Sequence, residues 1–170
     1  NETNYRMINN KCVYYETSRY NYEDAKQKCS ERFVNNGRLF EPKSWNENEI
    51  AYKIGKSLGD KKWLIGIKFS ADPFSIVFES DGTPISYSPK WYSEDWAKCT
   101  NCVHFVDGQR TAFWIDNSCS STYKYSSICE QIAWFNRAYF QMKNIYVSND
   151  VILCWSRINE MYLVKLNYNF

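Results

Sequence analysis

Residues Cys99–Cys129 read CTNCVHFVDGQRTAFWIDNSCSSTYKYSSIC, and this stretch decides the fold. It carries four of the seven cysteines and the only histidine, His104. Two short apolar runs, Val103–Val106 and Thr111–Ile115, flank Asp107-Gly108. That dipeptide is a strong hairpin signal because it accepts the positive φ that tight hairpin turns require. Cys102 stands near one end of the predicted hairpin and Cys119 just past the other, so a disulfide can close it. Cys29, upstream in a helix-like segment, can reach Cys129, and two nested bridges would staple a compact, loop-rich unit suited to binding.

Working outward, Lys11–Glu16 alternates as a first strand. Tyr22–Phe33 reads as a helix: Asn21 is placed to cap it, Glu23 and Asp24 lie in its first turn, and Ala25, Cys29 and Phe33 share one face. Asn35-Asn36-Gly37 ends it. Leu39-Phe40 reads as a short buried strand closed by Pro42. Ser44-Trp45-Asn46-Glu47 is a capping box that opens a second helix to about Ser57, with Ile50 and Ile54 inward and Gly59 as the stop. Two short amphipathic helices of this kind pack on one sheet. From Trp63 the pattern turns to strands: Leu64–Ile67, Phe74–Glu79, then Ile85–Tyr87 after the Ser80-Asp81-Gly82 turn. Ser88–Thr100 has no periodicity, and an irregular segment of that length inside a compact domain points to function.

A chain of 170 residues suits one domain with an extension. The cysteine count favours disulfides in an oxidising compartment, hence a secreted, extracellular protein whose signal has been removed. Asn1-Glu2-Thr3 is a glycosylation sequon at Asn1. A net charge of +2 with mixed signs argues against nucleic acid, and no apolar run is long enough for a membrane span.

The order of parts resembles the C-type lectin-like domain over residues 11–131. The resemblance implies an α+β fold of two helices on antiparallel sheets with a long loop region. It implies an outer bridge Cys29–Cys129 and an inner bridge Cys102–Cys119. Leu64–Ile67, preceded by Trp63, matches the family's Trp-Ile-Gly-Leu run; Tyr87–Trp91 matches the approach to the long loop; Trp114-Ile115-Asp116 resembles its Trp-Asn-Asp signature. Residues 1–131 are therefore read as the domain and 132–170 as a C-terminal extension, adding strands or a dimer surface. In the extension, Ile145–Val147 and Val151–Trp155 read as a hairpin and Met161–Leu166 as a further strand.

The resemblance implies a lectin, a carbohydrate-binding domain whose partner is a glycan or glycoprotein. The alternative is a protein-binding or matrix module of the same fold. Ligand-binding positions carried over are Glu94, Asp95, Trp96, Asp116 and Asn117. Calcium is the one cofactor the family suggests, but this sequence departs from its ligand set. Asp95-Trp96-Ala97, or Glu94-Asp95-Trp96, replaces the proline-containing triplet; Thr100 stands for the loop Glu and Ile115 for the Asn. Asp95 and Asp116 remain as ligands for a weak site at most, since Ca²⁺ takes six to eight oxygens.

Cys99-Thr100-Asn101-Cys102 with His104 also suits zinc or a redox dithiol, but no βαβ setting is present and disulfide bonding competes. His104 lacks a nucleophile and an orienting partner, so no catalytic residue is assigned and the chain is read as a non-enzyme. Of the leftover cysteines, Cys12 pairs with Cys154 in the first-choice scheme. That leaves Cys99 as an intermolecular thiol and a disulfide-linked homodimer as an oligomeric form.

Overall fold

The computed structural model describes residues 4–33, 37–59, 62–70, 75–91, 102–107, 112–117, 119, 122–132, 151–155 and 161–165; for 107, 112–113, 116–117, 132, 151–155 and 161–165 it describes the backbone alone. The elements are β1 (Tyr5–Ile8), β2 (Lys11–Tyr20), α1 (Tyr22–Arg32), β3 (Arg38–Leu39), α2 (Trp45–Ser57), β4 (Lys62–Phe69), β5 (Ile76–Phe78), β6 (Cys102–Asp107), β7 (Ala112–Asn117), β8 (Tyr125–Ile132), β9 (Val151–Trp155) and β10 (Met161–Lys165). Eight strands form one sheet in the order β1-β2-β8-β4-β6-β7, with β3 paired to β8 and β5 to β4. All pairings are antiparallel except β4 with β8. β9 and β10 form a separate two-stranded sheet.

Local chemistry sets both helices. Asn21 accepts the Asp24 N–H at 2.9 Å, and Ser44 accepts the Glu47 N–H at 3.2 Å. The second cap differs from a reciprocal capping box: the Glu47 carboxylate takes the Lys43 N–H at 2.9 Å. It also takes the side chains of Asn9 and Lys11, which draw it one residue further back. In α2 the fully buried face is Asn48, Ala51, Tyr52 and Gly55. Ile50 and Ile54 sit half-buried at the margin of the core rather than at its centre. Gly59, with φ of 91°, turns the chain out of the helix.

Alternation along β2 sends Val13 and Tyr15 to one side and Cys12 and Tyr14 to the other. The first side packs with Ala51 and Tyr52 of α2, Trp63, Phe105 and Trp114; the second packs with Tyr22, Ala25 and Cys29 of α1 and with Leu64 and Cys102. The two helices thus clothe opposite faces of one sheet. Gly66 lets the strands close up: a Cβ there would stand 2.8 Å from the Leu39 carbonyl oxygen.

Two readings change, and a third is not described. β1 precedes the strand expected to be first, joined to β2 through Asn9, whose φ is 52°. Residues 85–87 form no strand, because only a single bridge, Val77 to Pro84, ties that segment to β5. In the extension Val151–Trp155 pairs with β10, and its expected partner, residues 145–147, lies outside the described residues.

Cys29–Cys129 and Cys102–Cys119 are disulfides, with Cα separations of 5.1 and 5.4 Å. The first ties α1 to β8, and the second ties the start of β6 to the chain just past β7. A buried ionic cluster forms beside the first bridge, around Glu130, the residue after Cys129 on β8. The Lys11 ammonium lies 3.0 Å from both Glu47 and Glu130, and Arg38 reaches Glu130 at 2.9 Å. Glu41 joins through Arg38, Lys43 and Ser80. Burial raises the Glu130 carboxyl above its ordinary range, against the pull of Lys11 and Arg38. Glu47 is also penalised by burial, but the Lys43 N–H, Lys11 and Asn9 outweigh that and hold it low.

Candidate functional site

The segment 92–101, which contains Glu94, Asp95, Trp96 and Cys99, lies outside the described residues, yet both of its ends are fixed by β7. It departs at Trp91, which bridges Trp114, and the Trp114 N–H donates to the Lys90 carbonyl at 2.8 Å. It returns at Cys102, which pairs with Asn117. Positions 114 and 117 are about 10 Å apart along a strand. Asp116 and Asn117 lie at the end of β7, their backbones paired with Val103 and Cys102, while Glu94, Asp95 and Trp96 lie outside the described residues.

Beneath the point of departure lies an aromatic floor. Trp114 is fully buried, and its indole N–H donates to Asn48 of α2 at 2.7 Å. Trp91 meets Trp114 edge-on at 5.9 Å and stacks on Phe69 at 5.7 Å, with planes 26° apart. Tyr87 packs against Trp114 and Trp45, and its hydroxyl donates to the Pro42 carbonyl at 2.8 Å; burial pushes that phenol up. The Lys90 ammonium sits 5.2 Å above the Trp45 ring. Trp45, Tyr87, Trp91 and Phe69 are all half-buried. Trp91 was legible as a packed position. Trp45 and Phe69 were not: a helix-start Trp and a strand-end Phe carry no local mark of sharing a floor, which the fold alone supplies.

The calcium set does not fit. Ile115, half-buried on β7 opposite His104, has no oxygen where the family places a ligand. Among the described residues no group of three or more His, Cys, Asp or Glu is placed to hold a metal ion. The Cys99–Cys102 dithiol reading fails because Cys102 is bonded to Cys119. His104 is 1 % exposed, stacked on Tyr125 at 4.6 Å, and neither ring nitrogen has a hydrogen-bond partner among the described residues. Burial, reinforced by Lys62, lowers its pKa to about 3, so it is a neutral core residue. Asn1 lies outside the described residues. Cys12 is disulfide-bonded.

Residues 18–131 match the model of the lectin C-type domain family, which is more than half of the chain. The chain belongs to the C-type lectin domain family. Solved structures agree with this C-type lectin fold. Human lithostathine superposes with a TM-score of 0.62 at 21% identity, covering 75% of this chain and 87% of that one. The SPL-1–GlcNAc complex gives 0.64 at 18%, covering 75% and 92%. A Ca²⁺-dependent type II antifreeze protein, in its Ca²⁺-free form, gives 0.61 at 18%, covering 76% and 98%. At these identities the likeness is one of fold. Comparison with curated protein sequences finds no significant match. Among the described residues no helix is long and apolar enough to cross a membrane.

Proposed function

We propose that this C-type lectin domain is an extracellular recognition module that binds carbohydrate at the face made by loop 92–101 and the end of β7, without the family's calcium set. The observation that carries the reading is the clamping of both loop ends on β7 above the Trp91–Phe69–Trp114 floor. Sugar rings offer flat C–H faces to an aromatic ring and hydroxyls to polar neighbours. Trp96 supplies the ring in this reading, while Glu94, Asp95, Asp116 and Asn117 accept from hydroxyls. SPL-1, whose structure is a GlcNAc complex, shares the fold and lends the reading support. Two disulfides are the company of an oxidising compartment, and the role assigned is binding rather than reaction.

A second reading is a protein-binding module of the same fold. Ile115 favours it, since an apolar side chain where the family ligates metal turns the rim toward apolar contact, and the type II antifreeze protein has the same fold under another function. A glycan array read with and without chelator tests the proposal. Binding of a glycan class that persists in EDTA is expected; an array blank under both conditions refutes it in favour of the protein-binding reading. Binding abolished by EDTA contradicts the calcium-free part.

A further inference from the structure

We infer that Cys12 is joined to Cys154, and that this third bridge locks the C-terminal hairpin onto the edge of the lectin sheet as part of one covalently closed domain. Cys12 is 1 % exposed and engaged in a disulfide. Cys29, Cys129, Cys102 and Cys119 are occupied with one another, so its partner is Cys99 or Cys154.

Topology separates the two. Cys99 is three residues from Cys102 on β6, and both β4 and β8 stand between that strand and β2. The C-terminal hairpin, by contrast, lies against the strand next to Cys12: β10 packs on β1, and β1 sets Met7 directly opposite Cys12, with the two sulfurs 3.7 Å apart. Cys154 sits on β9 opposite Tyr162 of β10. A disulfide needs Cα atoms within about 7 Å, and the packing of β10 on β1 brings the hairpin that carries Cys154 to the strand facing Cys12, whereas a bond to Cys99 has to reach across β8 and β4.

β1 is the terminal strand of the sheet, and such an edge is a template for pairing with other chains unless something covers it. A covalently held hairpin of β9 and β10 serves as that cover. Cys99, in the loop of the proposed binding face, is then the one cysteine without a partner in its own chain.

Non-reducing peptide mapping of the oxidised full-length chain, alkylated in denaturant at mildly acidic pH before trypsin, tests the inference. The expected product joins peptide 12–19 (CVYYETSR) to peptide 144–157 (NIYVSNDVILCWSR), with Cys99 available for alkylation or for a bond to a second chain. Peptide 12–19 joined to peptide 99–110, or Cys12 and Cys154 both alkylated, overturns it. As a second readout, the Cys12→Ser/Cys154→Ser double variant is expected to lose its tail to limited proteolysis about tenfold faster than wild type, because cleavage follows local opening. Equal rates contradict the clamp.

Discussion

Replacing His104 with phenylalanine should remove most of the protein's loss of stability between pH 7 and pH 5. The imidazole is enclosed in β6, stacked on Tyr125, with both nitrogens unpartnered among the described residues. Its folded pKa is about 3 against an ordinary 6.5. Between those values the unfolded chain binds a proton that the folded one refuses, so folding stability is complete above pH 6.5 and falls as the solution is acidified toward pH 3. One pKa unit is about 1.4 kcal/mol, so at pH 5 the loss is about 2 kcal/mol, and it reaches about 4 kcal/mol at pH 3. Glu130, whose pKa burial lifts, works in the opposite sense: its contribution is present below its unfolded pKa and is lost as pH rises through its folded pKa. Because His104 is the only histidine, subtracting the variant's pH dependence from that of wild type isolates it. Phenylalanine keeps the stack on Tyr125, and any packing strain it adds does not change with pH. Urea unfolding of the oxidised protein at pH 7 and pH 5 supplies both free energies. Equal losses in wild type and His104→Phe would refute the buried neutral imidazole.

Lys11→Met should cost about 3–5 kcal/mol in the same assay, since it strands the Glu47 and Glu130 carboxylates that the ammonium pairs; a change below 1 kcal/mol would place the ionic cluster in contact with water. Asn48→Ala deprives the buried Trp114 indole N–H of its acceptor and should cost about 1–3 kcal/mol, read as a lower Tm. The Cys102→Ala/Cys119→Ala pair opens a bridge spanning 17 positions and should cost about 3 kcal/mol, read as a lower urea midpoint. Calorimetric titration should find no micromolar Ca²⁺ binding; such binding, abolished by Asp116→Ala, would contradict the reading of Ile115.

What was legible in the sequence is what local chemistry dictates. Asn21 and Ser44 announce their helices because a cap is a contact over three residues. Asp107-Gly108 between two apolar runs announces β6 and β7 for the same reason. β1 was missed because YRMI lacks alternation and gains strand character only from β2. Ile85-Ser86-Tyr87 looked like a strand on composition, but Tyr87 is drawn to Pro42 and Trp114 instead of into a ladder. The pairing of Lys11 with Glu130 across the whole domain has no local trace. For the site, Trp91 and Trp114 stood out through resemblance, and the departure at Ile115 was readable directly. The floor that joins α2, β4 and β7 exists only once the sheet is assembled.

Hydrogen–deuterium exchange of the oxidised protein, with and without the glycan selected on the array, measures the binding face directly. New protection is expected in peptides spanning 91–101 and 114–117, in EDTA as well as in calcium. Protection confined to other segments, such as 151–165, with 91–101 unchanged, would contradict the assignment of that face.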